Sequence, residues 1–127
     1  MKISLYSFSY RRGLPNDPNG NGGGFVFDCR ALPNPYWQED IRKYNGQEAP
    51  VIDFFNQHKS AVDALLNPAL ALIKQAIHAY QADGRTSLYV AFGCTRGFHR
   101  SVYCAEQCAY HLRQDPTLEI HLHHTAL

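Results

Sequence analysis

The side chains most able to do chemistry lie close together in the segment Cys94–Arg100. It holds a thiol, a hydroxyl, an imidazole and two guanidinium groups, with a glycine at position 97. An apolar run precedes the segment and a run without helix breakers follows it, so it is predicted to join a buried strand to a helix. Amides at the start of a helix lack acceptors and lie at the positive end of the helix dipole. The segment is therefore predicted to bind an anion.

Two neighbouring residues favour a phosphate or carboxylate as that anion. Arg100 stands at the predicted helix entrance, where its guanidinium can fork onto either group. Ser101 follows as an N-cap or a further hydroxyl donor. The alternative is structural: Gly93 and Gly97 serve only a tight turn, and His99 and Arg100 are solvated. The concentration of donors in so short a segment favours anion binding.

A catalytic alternative arises from the spacing of Cys94 and Arg100. Five residues separate them and Ser101 follows, which is the C-x5-R-S pattern of cysteine-dependent phosphatases. That chemistry needs a thiolate nucleophile within a ring of amides and an arginine that holds the phosphoryl oxygens. It also needs a general acid, for which Asp28 is the candidate. The pattern is short and of low specificity, so no catalytic residue is assigned.

A second group of polar side chains follows the predicted strand Phe25–Cys29. Open α/β sheets place their sites beyond the carboxyl ends of strands. Asp28 could accept hydrogen bonds from a sugar hydroxyl or an amine, and Arg30 could meet an anion. The alternative is that an Asp28–Arg30 pair merely fixes the turn. Tyr36 and Trp37 are predicted to anchor this loop to the core.

Composition limits the class of protein. The chain has 127 residues, 45% apolar and 18% charged, which predicts one globular domain over residues 1–127. A net charge of +1 gives no global electrostatic case for nucleic acid. No apolar run is long enough to span a membrane. The N-terminus lacks the features of a signal peptide, so we expect a cytoplasmic protein with free thiols.

Hydrophobic periodicity predicts an α/β fold with a small, mostly parallel sheet of about four strands flanked by helices. We predict strands at Lys2–Tyr10, Phe25–Cys29, Leu88–Phe92 and Leu118–His124, and helices from Pro50 to about Asn67, from Pro68 to about Ala82 and over Val102–Arg113. The segment Asn16–Gly24 is nearly all Asn, Asp, Pro and Gly, and it is predicted to be a mobile loop that packs against nothing.

Cys104, Cys108 and His111 would share one face of the last predicted helix, a spacing that a metal site could use. The alanines and leucine between them indicate a packed helix instead, and free cysteine commonly fills cores. No metal and no cofactor are therefore predicted.

Two long stretches resemble motifs of the RapZ C-terminal domain family. Val26–Trp37 is similar to the family's V-F-D-V-R-F-L-P-N-P-x-W, and Phe92–Gln107 contains a close match to its G-C-T-G-G-x-H-R-S-V-x-x-A-E. The resemblance covers nearly the whole chain. It implies an α/β domain similar to a sugar-phosphate-binding subdomain of phosphofructokinase. Full-length members carry an N-terminal P-loop domain for which this chain has no room, so ATP or GTP binding is not expected.

The resemblance also implies a function and a site. Enterobacterial members sense glucosamine-6-phosphate, bind small RNAs and present them to an endoribonuclease. The implied partners are thus a phosphorylated small molecule or inorganic anion, with a small RNA and an endoribonuclease as candidates. Further copies of the chain are another candidate partner, and no membrane is expected. The implied ligand-binding residues are Asp28, Arg30, Asn34, Cys94, Thr95, Gly97, His99, Arg100 and Ser101.

Three departures from the family pattern bear on that expectation. Arg96 stands where the family has glycine, and Phe98 stands where it usually has a polar residue. Near the end of the sequence, His123–Thr125 replaces an arginine-rich segment. The first change adds a cation to the loop, and the last removes cations that RNA contacts would use.

Overall fold

The computed structural model describes residues 1–127 as four parallel strands and three α-helices. The strands are β1 (Lys2–Ser9), β2 (Phe25–Asp28), β3 (Ser87–Cys94) and β4 (Glu119–His124), and the helices are α1 (Ala49–Asn56), α2 (Lys59–Ala82) and α3 (Arg100–Leu112). The sheet order is β2-β3-β1-β4, and each neighbouring pair is parallel. The α/β class predicted from the sequence is confirmed. None of the helices has the length and apolar composition needed to cross a bilayer.

The two central strands are buried along almost their whole length. Every residue of β3 is buried, and six of the eight residues of β1 are. Strands buried on both faces read as continuous apolar or small-residue runs, which is how Ser87–Cys94 reads. The carboxyl end of each central strand therefore opens into a loop whose position is fixed by the core below it.

The main hydrophobic core lies between the helices and one face of the sheet. Ile3, Leu5, Val90 and Phe92 point into it from the central strands, together with the buried side chains of all three helices. The opposite face carries a smaller cluster that contains no helix residue, formed by Phe8, Tyr89 and Ala91 with Tyr6 and Tyr10 packed against it. The helices thus cover one face rather than both.

The predicted helix boundary at Pro68 is wrong. Helix α2 runs through this proline without interruption. An interior proline removes one hydrogen bond to the carbonyl four residues earlier, at a cost of roughly 3 kcal/mol. Burial of aliphatic side chains on both sides of Pro68 offsets that cost, at about 1.5–3 kcal/mol for each side chain. The break between helices α1 and α2 falls instead at His58, whose Nδ1 lies 2.8 Å from the Phe54 carbonyl oxygen.

The prediction that Asn16–Gly24 packs against nothing is also wrong. The Asp17 carboxylate accepts hydrogen bonds from three backbone amides of the loop. The Asn19 and Asn21 side-chain amides donate to the hydroxyls of Ser4 and Ser87, at 3.0 and 2.8 Å. These bonds attach the loop to the N-terminal ends of the two central strands. Composition missed them because Asn and Asp also serve as hydrogen-bonding side chains, beyond their preference for turns.

His124 fixes the edge strand β4 to the rest of the domain. Its Nδ1 lies 2.6 Å from Ser7 Oγ on β1, and its Nε2 lies 2.8 Å from Glu106 Oε1 on α3. One imidazole therefore joins three elements.

Candidate functional site

The loop between β3 and α3 is shaped by Gly97. Its φ of +75° lies in the left-handed region, which side chains other than glycine adopt at a cost of roughly 1–2 kcal/mol. A Cβ on Gly97 would also lie 2.9 Å from the Ser9 amide nitrogen and 2.8 Å from the Ala126 Cβ. The loop therefore presses against the end of β1, and only glycine fits there.

The amides of this loop have no acceptors in the protein. None of the five backbone N–H groups of Thr95–His99 donates to a main-chain or side-chain atom. Carbonyls near both ends of the same segment are engaged instead: Thr95 O accepts from Ser9 Oγ, and Phe98 O accepts from the Gly46 amide. The loop is held through its acceptors and leaves its donors free, which is the arrangement that an anion site requires.

Four of the five residues that carry these donors, all except Gly97, border a cavity of about 310 Å³. The cavity is rich in cations and contains no carboxylate. Its lining residues are Arg11, Asn34, Tyr36, Trp37, Cys94, Thr95, Arg96, Phe98, His99 and Arg100. With three guanidinium groups and no acidic side chain, the cavity has a positive potential that favours an anionic ligand.

Arg100 joins the two loops that flank the cavity. The residue is only 7% exposed. Its Nη1 donates to the carbonyl of Arg30 at 2.6 Å and reaches that of Leu32 at 3.5 Å. The first residue of α3 thereby holds the segment that follows β2. Arg100 is not solvated, and it positions a loop as well as lining the cavity.

Two other arginines are ordered by an aromatic ring. The guanidinium carbon of Arg96 lies 4.0 Å from the centre of the Tyr36 ring, and that of Arg42 lies 4.6 Å from it. Arg42 Nε also donates to the Tyr36 carbonyl at 2.6 Å. Cation–π contacts of this kind hold a long side chain in place while its charge remains available.

His99 is buried beneath the loop. Its Nε2 lies 2.9 Å from the Arg42 carbonyl oxygen. A carbonyl can only accept, so this nitrogen carries a proton. Burial lowers the pKa of His99, against the opposing effect of the Arg42 and Tyr44 carbonyls. His99 therefore ties the cavity wall to the segment before α1 as a neutral imidazole.

Comparison with known proteins identifies the family. A family model for the RapZ C-terminal domain matches residues 1–127. The chain belongs to the RapZ C-terminal domain family. A nucleotide-binding protein of Saccharophagus degradans is 41% identical over 114 residues, which cover 90% of this chain and 37% of that protein. A nucleotide-binding protein of Xylella fastidiosa strain M12 is 39% identical over 128 residues, which cover 99% of this chain and 42% of that protein. The chain spans about two fifths of the length of these relatives.

The cavity of this RapZ C-terminal domain brings together five of the nine site residues that were named from the sequence. The five that line it are Asn34, Cys94, Thr95, His99 and Arg100. Of the others, Gly97 shapes the loop from below, and Ser101 lies behind Cys94 with its Oγ 3.1 Å from the thiol sulfur.

Asp28 and Arg30 do not line the cavity. They lie at the neighbouring strand end, since Asp28 pairs with Gly93 in the sheet. Both Nε and Nη2 of Arg30 donate to the Asp28 carboxylate, and the guanidinium carbon lies 3.9 Å from the centre of the Tyr10 ring. This is the ion pair that the sequence left as an alternative for fixing the turn.

The geometry disfavours the phosphatase alternative. The hydrogen bond from Arg30 lowers the pKa of Asp28, which keeps this side chain an ionised carboxylate and a poor general acid. The Cys94 sulfur is buried and contacts the hydroxyl and amide of Ser101. Arg100 directs Nη1 to main-chain carbonyls rather than into the cavity.

The cysteines on α3 belong to the core. Cys104 and Cys108 are fully buried beside Cys29 in the main cluster. Burial raises the pKa of Cys108 to about 12, so it remains a thiol. No three His, Cys, Asp or Glu side chains lie close enough together to hold a metal ion.

Sequence reasoning misplaced one aromatic residue of the cavity wall. The prediction that Trp37 anchors its loop to the core is wrong, because the side chain is 76% exposed. Arg11 was not singled out, although its position just beyond β1 was a usable signal. The loop is anchored instead by Pro35, which is fully buried.

Proposed function

We propose that this domain binds a phosphorylated small metabolite, an amino sugar phosphate such as glucosamine-6-phosphate, and that binding biases its interaction with a partner. The observation that supports this most strongly is the set of five amides over Thr95–His99 that have no protein acceptor, four of which belong to residues that border a cation-rich cavity. A phosphate offers several acceptor oxygens, so one ligand group could satisfy several of these donors at once.

The two ends of such a ligand match different parts of the site. The phosphate is assigned to the amides of the cavity-lining residues within Thr95–His99 and to the guanidinium groups of Arg96 and Arg11, which are exposed. The sugar hydroxyls are assigned to Asn34 and the Thr95 hydroxyl. Asp28 lies outside the cavity at the adjacent strand end, and its carboxylate would contact the ammonium group of an amino sugar only if its ion pair with Arg30 opened.

The role of Arg100 in this proposal is partly architectural. Because Nη1 of Arg100 holds the carbonyls beyond β2, an Arg100→Ala variant would release that loop as well as remove a charge. We expect Arg100→Ala to abolish anion binding and also to lower the free energy of unfolding. Arg96 is the better probe of charge, because it donates no hydrogen bond to the protein and its guanidinium lies over the Tyr36 ring.

Kinship with the RapZ C-terminal domain supports an adapter role, with a small RNA or an endoribonuclease as partner. The arginines around the cavity give a local positive patch, although the net charge of the chain is only +1. RNA binding through phosphates should weaken steeply with salt. Absence of RNA binding even at low ionic strength would remove this part of the proposal.

The direct test is isothermal calorimetry with glucosamine-6-phosphate, glucosamine and inorganic phosphate. We expect glucosamine-6-phosphate to bind most tightly, inorganic phosphate weakly, and glucosamine not measurably. A ligand at 100 times its Kd should stabilise the fold by about 2.7 kcal/mol. Tighter binding of glucosamine than of inorganic phosphate would contradict the proposal, because the site would then not recognise the anion. Hydrolysis of p-nitrophenyl phosphate that is lost in Cys94→Ser would favour the enzyme.

A further inference from the structure

Two exposed aromatic side chains border the same cavity. Trp37 is 76% exposed and Phe98 is 37% exposed, and both line the space beside the cationic loop. A large aromatic ring left in water forgoes the stabilisation that burial would give it. Their placement at one cavity, with the free amides next to them, points to a ligand that covers them.

The backbone beneath Trp37 is held firmly although its ring is free. The segment Pro35–Trp37 forms a single 3-10 turn, in which Asn34 Oδ1 accepts from the Tyr36 amide at 3.1 Å. The Trp37 amide donates to the Asn34 carbonyl at 3.3 Å. The Tyr36 ring meets the Trp37 indole edge-on, with 5.1 Å between ring centres. The indole is therefore presented by a rigid support.

The Tyr36 ring is already in contact with two guanidinium groups of the protein. The guanidinium groups of Arg96 and Arg42 both lie over it, so this ring is not free to stack on a ligand. Of the three aromatic residues that line the cavity, Trp37 and Phe98 remain as the surfaces that a ligand could cover.

We propose that Trp37 and Phe98 form an aromatic shelf that stacks against the apolar C–H face of a pyranose ring and so selects cyclic sugar phosphates over acyclic phosphates. This inference rests on the proposed function and specifies the class of ligand that the same site accepts. A pyranose carries C–H groups on its faces and hydroxyls at its rim, which suits a cavity with an apolar wall and a few polar groups. A cavity of about 310 Å³ accommodates one such ring with its phosphate.

Mutations should then distinguish the contribution of the sugar ring to affinity from that of the phosphate. Loss of the shelf should weaken any ligand with a ring but leave inorganic phosphate unaffected. Loss of a cation should weaken every phosphate to a similar extent. Stacking of a nucleobase on an aromatic side chain is worth about a tenfold change in affinity or more, and we expect a change of the same order for a pyranose face.

The test uses the chain's single tryptophan, which makes intrinsic fluorescence a reporter of position 37 alone. Wild-type protein is titrated with glucosamine-6-phosphate, glycerol 3-phosphate, inorganic phosphate and adenosine monophosphate, and the Kd values are confirmed by calorimetry. We expect saturable fluorescence changes with glucosamine-6-phosphate and binding at least about tenfold weaker for glycerol 3-phosphate.

Three variants complete the design, with Kd measured by calorimetry. Trp37→Ala should weaken glucosamine-6-phosphate about tenfold while it changes inorganic phosphate less than about twofold, and Trp37→Phe should restore part of the loss. Arg96→Ala should weaken both ligands alike. Because Trp37 is exposed, its replacement should leave the fold intact, which the unchanged phosphate affinity checks.

Distinct results would overturn the shelf and the proposed function. Unchanged glucosamine-6-phosphate affinity in Trp37→Ala would overturn the shelf and leave phosphate binding standing. Tighter binding of adenosine monophosphate than of glucosamine-6-phosphate, lost in Trp37→Ala, would show that the indole stacks on a base and would overturn the sugar assignment. Failure of wild-type protein to bind any phosphate compound would overturn both proposals.

Discussion

The domain contains two glycine-containing loops that treat their backbone amides in opposite ways. In Asn16–Gly24, the Asp17 carboxylate accepts from three amides of its own loop. In Thr95–His99, none of the five amides has an acceptor in the protein. In the first loop, a carboxylate of the loop itself accepts from the amides. In the second loop, the amides have no such acceptor, and an anionic ligand could take that place.

The comparison shows why glycine content alone is a poor guide to function. Both loops contain glycines with positive φ, and Gly20 and Gly97 have nearly the same value, +76° and +75°. They differ in the charges around them, since Asp17 is the only charged residue of the first loop, whereas three arginines surround the second. What distinguishes an anion site is the lack of an internal acceptor together with nearby cations.

The largest effect is expected from a matched pair of glycine substitutions. Gly97→Ala should abolish phosphate binding and destabilise the fold by more than about 2 kcal/mol, because positive φ is strained and the new Cβ meets the Ser9 amide. Gly20→Ala has the same φ but no atom within 4 Å of the Cβ. It should cost only about 1 kcal/mol and leave phosphate affinity unchanged. Urea denaturation and calorimetry measure the two quantities.

Equal loss of phosphate binding in the two glycine variants would show that general destabilisation, rather than the shape of the 94–100 loop, controls the site. The comparison between the loops would then fail.

A smaller effect is expected from removing one cation. Arg96→Ala should weaken binding of glucosamine-6-phosphate about tenfold, which corresponds to roughly 1.4 kcal/mol of a charge-assisted contact. The dependence of Kd on salt should also become shallower. Arg12→Ala is the matched control, because Arg12 is exposed beyond β1 and does not line the cavity. Calorimetry at two salt concentrations measures the affinity and its salt dependence in both variants. An equal loss of affinity in Arg12→Ala would indicate that net charge, rather than the position of Arg96, controls binding.

A substitution in the Asn16–Gly24 loop should change the stability of the fold but not the affinity for the ligand. Asp17→Ala removes the acceptor of three amides, and we expect it to lower the free energy of unfolding by about 1 kcal/mol, because the freed amides of this loop can bond to water. The affinity for glucosamine-6-phosphate should stay the same. Urea denaturation and calorimetry on the same preparation test this. A change in affinity would mean that the two loops are coupled.

The smallest expected effect is a dependence of stability on pH through His99. Burial lowers the pKa of His99 in the folded state, so below about pH 6.5 the unfolded chain binds the proton first. Stability is then lost as the pH falls from about 6.5 toward the folded pKa. His99→Gln should flatten that part of the profile. Urea denaturation between pH 7.5 and pH 5 measures the slope, and an equal slope in wild type and variant would assign it to another group.

The sequence predicted the strand-to-helix loop because its signal is local. Glycines, donors and an arginine at a helix entrance lie within a few residues of Cys94. Which aromatic side chains are buried is decided by distant partners. Trp37 was therefore misplaced, since the sequence does not show that Pro35 occupies the core position instead. Pro68 was misassigned for the same reason: burial on both sides of it outweighs its local preference for a helix start.

The central claim is that the free amides of Thr95–His99 hold an anion, and a ¹H–¹⁵N NMR titration with glucosamine-6-phosphate tests it most directly. The account predicts large, saturable shifts of these five amide resonances and no shift of the Asn19, Asn21 and Gly23 amides, which Asp17 already engages. Binding of the ligand without movement of the Thr95–His99 resonances would contradict it.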